Sequence, residues 1–319
     1  MTDLVVHWSA DPVIFHIGSF GLRWYSLLFA TGFILAYFIL LKMFRREGVN
    51  TNYLDKLTIY CFIALLVGLR LGHCIFYEWG YYKNHLLEMV LPFNFETGKF
   101  TGYQGLASHG GAIGILLGLW LYCYKTKINP VWILDRLVIV IPLVGACVRC
   151  GNMMNSEIYG SPTSLPWGFV FLRGDKQFCG SFDNYTSFDV HKELPICPSE
   201  EWLPCHPTGL YEALSYLIIF AVLLIIYLHK KGKIRPGMSF GIFLIALFGM
   251  RFLIEFLKNE QVDFEKGMTL NMGQLLSIPF ILAGIVFIVL SVKGKLSDKV
   301  FYKTTNNEIE KTTSKTNKK

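Results

Sequence analysis

The sequence predicts an all-α integral membrane protein of seven transmembrane helices, with its amino terminus outside and its carboxyl terminus in the cytoplasm. Three observations predict it. Hydrophobic residues make up 53% of the chain and charged residues only 17%, where roughly a quarter of a soluble domain is charged. Seven apolar stretches approach the ~20 residues that cross a hydrocarbon core. The basic residues between them collect in alternate connections, as cytoplasmic loops do. Such a composition excludes a disordered chain and argues against a soluble enzyme.

The stretches cover residues 20–44, 57–77, 106–124, 131–148, 209–228, 239–257 and 272–292. The fourth is the least regular, because Asp135, Arg136 and Pro142 interrupt it. The first, third and fifth connections with the adjoining span ends (Lys42 and Arg136), and the tail from Lys293 onward, carry 19 of the 30 Lys and Arg residues. In the remaining connections Glu78, Glu88, Glu96, Glu200, Glu201, Glu260, Asp263 and Glu265 dilute the cations. That asymmetry places the even-numbered loops outside. No basic n-region precedes a small-residue cleavage site, so the first stretch serves as its own insertion signal.

The net charge of +7 is concentrated in the tail, where eight lysines stand against Asp298, Glu308 and Glu310. It is not the basic stripe of a nucleic-acid binder, and no nucleic acid is expected as a partner. Residues 293–319, rich in Lys, Thr and Asn, read as a basic disordered cytoplasmic tail. Residues 1–292 form the membrane domain, and 151–207 within it are too long for a connector. They read as a small head on the outer face.

Cys61, Cys74, Cys123 and Cys147 lie in spans and read as small hydrophobes. Cys150, Cys179, Cys197 and Cys205 fall at or beyond the outer face, where disulfides are permitted but sequence does not fix the pairing. No tetrahedral ligand spacing is evident around them or His206, so neither a metal nor another cofactor is expected.

A charge at the bilayer centre costs at least ~2.5–3.5 kcal/mol on insertion scales, so charged residues within spans are functional candidates. Arg70, Arg149, Arg251 and Glu255 qualify. Arg251 and Glu255 are four residues apart on one helix face and can pair. Three arginines in the outward halves of different spans suit an anionic lipid head group, because guanidinium binds phosphate through parallel hydrogen bonds. Ser108-His109-Gly110-Gly111 opens the third span. Its glycines admit a substrate or a neighbouring helix, and Gly110-Gly111-x-x-Gly114 on its own favours the helix. His109 is a candidate base, since imidazole titrates near neutrality. From Arg149, the run Arg149-Cys-Gly-Asn152-Met-Met-Asn155-Ser-Glu157-Ile-Tyr159-Gly160 packs amides, a carboxylate, a phenol and a guanidinium where a span meets the head. Helix capping accounts for one Asn and a terminal Gly, not for the set.

With those residues in place the chain resembles the prolipoprotein diacylglyceryl transferase family over almost its full length. The resemblance rests on Asp11-Pro-Val-Ile-Phe15 and Leu22-Arg-Trp-Tyr25; Gly68-x-Arg70-x-Gly72; His109-Gly-Gly111; Arg149-x-Gly-Asn152-x-x-Asn155-x-Glu157-x-x-Gly160; His206-Pro-Thr-x-Leu-Tyr-Glu212; and Arg251-Phe-x-x-Glu255-Phe, in the family's order. It implies a bacterial inner-membrane enzyme, its active site toward the periplasm beneath a periplasmic head. Such an enzyme moves diacylglycerol from phosphatidylglycerol to the lipobox cysteine thiol of a prolipoprotein, forming a thioether and releasing glycerol phosphate. Its partners are then that lipid and prolipoprotein signal peptides.

The resemblance also implies roles. Arg149 and Arg251 stabilise the phosphate, and His109 takes the thiol proton, with Glu157 or Glu255 as alternatives for that step. Tyr25 and Asn152 contact donor or phosphate, Glu157 and Glu255 orient arginines, Arg70 joins the lipid-binding set, and Gly160 permits a turn or close approach. The chain departs from the family at His73, Gly209 and Leu247, where Tyr, Gln and Tyr are common. A transporter or flippase of an anionic lipid is the alternative. It would require repeated halves with broken helices, and only the Arg-x-Gly echo at Arg70 and Arg149 suggests a repeat.

Overall fold

The computed structural model describes residues 5–17, 20–91, 93–94, 99–100, 107–174, 203–258 and 270–301. The chain forms two compact units, Met1–Leu40 with Asp135–Leu296, and Leu41–Leu134 with Ser297–Lys319. Six helices among the described residues are long and apolar enough to cross a membrane. The fold is helical, with three two-stranded sheets as accessories.

The first unit opens with strand β1 (Val6–Trp8) and a hairpin of β2 (Val13–Ile17) and β3 (Phe20–Arg23). Residues 20–23, expected at the start of the first span, are instead paired with β2, with Val13 opposite Arg23 and Phe15 opposite Leu22. Helix α1 therefore begins at Trp24 and runs to Arg46. Apolar composition alone does not distinguish this strand from the helix that follows it.

Helix α6 (Pro130–Met154) begins on a proline, which lacks only an N–H that the first turn leaves unpaired. Its 25 residues absorb the interruptions expected to weaken it. Buried Asp135 accepts hydrogen bonds from Gly237 N at 2.6 Å and Phe240 N at 2.9 Å, so it caps another helix, α8 (Met238–Glu255). Helix α7 (Thr208–His229) precedes α8, and α9 (Met272–Val292) follows it. A capping box of Asn271 and Gln274 starts α9. Helices α8 and α9 approach through Gly241 and Gly284, where a Cβ on Gly241 would lie 2.8 Å from the Gly284 carbonyl oxygen.

Strand β6 (Phe169–Phe171) pairs in parallel with β1, Val6 opposite Phe169 and Trp8 opposite Phe171. Met153, Tyr159, Phe171 and Cys205 form a small buried core with Trp8, Phe169 and Leu210 against it. Residues 169–171, which lie within the segment expected to form a head, thus pair with the amino-terminal strand. Cys179 and Cys197 lie outside the described residues.

In the second unit, α2 (Asn52–Phe76) packs on α5 (Ser108–Thr126), while the short helices α3 (Trp79–Tyr82) and α4 (Leu86–Val90) fold back on α2. A two-residue hairpin, β4 (Phe93–Asn94) with β5 (Lys99–Phe100), follows them. The pair α2/α5 is antiparallel and close: a Cβ on Gly72 would sit 2.6 Å from Gly110 Cα, and one on Gly118 would sit 2.5 Å from Ala64 Cβ. Another helix, then, approaches the glycines after His109. The stretch from Lys293 does not begin as free tail. Asn129 Nδ2 donates to the carbonyls of Ser297 and Lys299, each at 3.0 Å, Asn129 N donates to Val300 O, and the Phe301 ring packs tilted against Tyr53. Residues 302–319 lie outside the described residues.

Candidate active site

Helix α6 delivers Arg149 to its last turns, and within the first unit a line of buried charges runs from it. Arg149 Nε lies 2.6 Å from Glu212 Oε2, Lys258 Nζ lies 2.9 Å from Glu212 Oε1, and Lys258 Nζ lies 3.2 Å from Glu255 Oε2. Glu212 is fully buried in α7, and the Lys258 side chain is 3% exposed. Unpaired, each such charge would cost several kcal/mol (on the order of) to desolvate. Here two cations alternate with two anions, so each charge has a counter-charge. Tyr216, on the α7 face one turn from Glu212, hydrogen-bonds Arg149.

The turn after α6 holds the second polar group. Asn152 Nδ2 donates to Glu157 Oε2 at 3.4 Å, and Asn155 Nδ2 makes a short hydrogen bond to Glu157 Oε1. Ser156 and Ile158 both take φ of 56°. For a β-branched residue this is strained, at a cost of order 1–3 kcal/mol. Thr208 Oγ1 holds the Ile158 carbonyl at 2.8 Å. The turn ends at buried Gly160, whose N–H donates to His206 O at 2.8 Å. A Cβ on Gly160 would meet Thr208 Cγ2 at 2.7 Å and His206 Cβ at 2.9 Å, so close approach rather than unusual φ demands glycine. Tyr25 packs its ring and backbone on Gly151, one turn of α6 above Asn155. Desolvation lowers the pKa of His206 and so favours its neutral imidazole.

Not every expected partner is found. Glu255 pairs with Lys258, not with Arg251; among the described residues Arg251 forms no ion pair with Glu255. The two share a helix face, but α8 ends at Glu255 and the turn after it brings Lys258 back beneath the carboxylate. Glu157 is hydrogen-bonded to amides rather than to an arginine.

Arg70 and His109 belong to the second unit. Arg70 is buried, with Nη2 on Glu88 O at 2.8 Å and Tyr82 Oη at 3.1 Å, and Nε on Met89 O at 3.3 Å. Its guanidinium lies over the Tyr82 ring, so it ties α3 and α4 to α2. His109 is exposed in the first turn of α5.

Glu212 and Lys258 are not among the residues the sequence singles out by charge, yet the rule that flags Glu255 also reaches Glu212, a carboxylate within an apolar span. Lys258, three residues past Glu255, was legible as an i,i+3 partner.

A family model described as prolipoprotein diacylglyceryl transferase matches residues 12–290. The chain belongs to the prolipoprotein diacylglyceryl transferase family. Among similar members, the phosphatidylglycerol–prolipoprotein diacylglyceryl transferase of Bacteroides fragilis is 42% identical, over 92% of this chain and 97% of its own length. The proteins of that name from Tolumonas auensis and Porphyromonas gingivalis are 40% and 39% identical, over 91% and 92% of this chain and 99% and 98% of theirs. The family's span contains Tyr25, Arg70, His109, the Arg149–Gly160 run, Glu212 and the Arg251–Lys258 segment alike.

Proposed function

We propose that this protein is the transferase that moves the diacylglyceryl group of phosphatidylglycerol onto the lipobox cysteine of prolipoproteins, the first step of lipoprotein maturation. Similarity over nearly the whole chain to enzymes of that name carries the reading. The geometry supplies a fitting anion site: a guanidinium fixed by a buried carboxylate, and a second arginine, Arg251, not neutralised by the glutamate on its own helix face. Nothing found favours the transporter alternative.

In the reaction the cysteine sulfur attacks the glyceryl carbon that bears the phosphate. The C–S bond forms, the C–O bond to phosphate breaks, and glycerol phosphate leaves with the electron pair. Arg149 and Arg251 stabilise the charge on that leaving group. Attack requires thiolate, and we assign the thiol proton to His109, whose exposed position at the head of α5 leaves it accessible. Asn152 and Tyr25 contact the donor, with Glu157 setting the Asn152 amide through the hydrogen bond it accepts. Glu255 acts on the site through Lys258 and Glu212, Gly160 lets the turn close against α7, and Arg70 supports α3 and α4 rather than phosphate.

We assign the enzyme to the bacterial inner membrane with this chemistry toward the periplasm. Seven spans cross, α5 included, with the amino terminus outside and the basic carboxyl end in the cytoplasm.

The test incubates purified protein with phosphatidylglycerol and a lipobox peptide and follows peptide mass. A diacylglyceryl increment on the cysteine, with glycerol phosphate released, is expected. Arg149→Ala slows the transfer about 10²–10³-fold. An increment formed at the wild-type rate by Arg149→Ala would remove that arginine from the mechanism.

A further inference from the structure

Arg149 is paired with Glu212, a residue outside the expected site set. Glu212 is fully buried in α7, and its two carboxylate oxygens meet two different cations, Arg149 Nε at 2.6 Å and Lys258 Nζ at 2.9 Å. Glu255 closes the line at 3.2 Å from the same ammonium. One carboxylate oxygen per cation makes Glu212 the hinge of the set.

Its contact with Arg149 matters because of where it falls. A guanidinium is a rigid planar fork with five N–H donors. Glu212 approaches at Nε, the side edge, and the end edge formed by the two Nη nitrogens is the one suited to a bidentate phosphate contact. The same ion pair holds that edge of the fork against α7. A free arginine, by contrast, must lose side-chain entropy when it binds an anion, on the order of 2 kcal/mol for its rotamers. Lys258 is then explained as well. A lone carboxylate shared with Arg149 inside the protein would be drawn fully onto that arginine and would cancel its charge. The ammonium on the opposite oxygen draws part of that field away and leaves positive potential on the outward edge of Arg149. Glu255 balances Lys258 in turn, so the buried set of four charges is neutral.

We propose that Glu212 is a positioning residue for the transfer, presenting the Nη edge of Arg149 to the phosphate of the donor lipid, with Lys258 as its counter-charge. The assignment rests on the transferase reading. Glu212 does not itself meet the substrate.

The test is a cycle of variants in the peptide-mass assay, run as initial rates against both substrates with thermal unfolding measured in the same detergent. Glu212→Gln keeps shape and removes charge. Its kcat falls about a hundredfold, the scale of a small misplacement of a catalytic group, while the KM for the lipobox peptide is unchanged. In the Arg149→Ala background, Glu212→Gln causes no further loss, because the group it positions is gone. Glu212→Asp, which retains charge but shortens the reach, recovers part of the rate.

The charge-balanced pair Glu212→Gln with Lys258→Met guards against a single variant that does not fold. It restores the unfolding temperature and leaves turnover low. Losses that multiply in the Arg149→Ala background, or turnover restored by the charge-balanced pair, would overturn the proposal and reduce Glu212 to a neutraliser of Lys258. No adduct from the wild type would instead overturn the transferase reading, and this assignment with it.

Discussion

His109 tests how chemistry divides among single residues. It stands exposed in the first turn of α5, whereas three described carboxylates of the first unit are tied to neighbours. Glu212 and Glu255 face Lys258, and Glu157 accepts from two amides. Those carboxylates already serve neighbouring groups, and the proposed base is the imidazole, whose ring is exposed. His109→Gln is therefore expected to slow diacylglyceryl transfer by about 10²–10⁴-fold and to flatten the acidic limb of its pH–rate profile. A loss of only a few-fold with the limb retained would shift the proton to Glu157. The residue scale is also where the sequence spoke most clearly. Arg149, Asn152, Glu157 and Gly160 stand out because helix capping does not account for the whole of a dense polar run at a span end. Glu212 does not stand out, since it is a lone carboxylate whose partners come from α6 and from the turn after α8, and neither pairing has a local sequence period.

Among elements, the pair α2/α5 carries the tightest packing. Gly68, Gly72, Gly110, Gly114 and Gly118 bring the two backbones together, and a Cβ on Gly110 would lie 2.6 Å from Gly72 Cα. Backbone cannot yield as a flexible side chain does, so Gly110→Val forces the helices apart. A loss of about 1–3 kcal/mol is expected, read as a lower unfolding temperature in detergent. An unchanged temperature would mean that the contact contributes nothing to stability. The apolar stretches located most helices to within a few residues, α9 at both ends, because lipid solvation demands length and hydrophobicity whatever the packing. They failed at α1, where Phe20–Arg23 adjoins the apolar run but pairs with β2. They also missed Val6–Trp8, whose parallel partner at Phe169–Phe171 is about 160 residues away and leaves no local trace.

For the whole molecule the open quantity is parity. Among the described residues six helices meet the length and apolarity of a span, and α5 is diluted at its start by Ser108, His109 and two glycines. An even number of crossings puts both termini on one side, and an odd number puts them on opposite sides. Packing argues for the odd number. At ~1.5 Å per residue, the 19 residues of α5 reach about 28 Å, close to the ~30 Å hydrocarbon thickness. From Gly110 to Gly118, α5 runs antiparallel along α2 from Gly72 to Ala64 at backbone contact. A helix pressed that closely to a spanning neighbour shares its depth, and its polar start is then an interfacial end rather than a failed crossing. The charge asymmetry of the loops favours the same arrangement, the one proposed with the Lys-rich tail in the cytoplasm. A fluorescent protein that folds only in the cytoplasm, fused after Lys319, is expected to fluoresce, and an alkaline phosphatase fused before Met1, behind a membrane-crossing leader, is expected to be active. If both fusions report the same compartment, α5 does not cross and the count of spans is six.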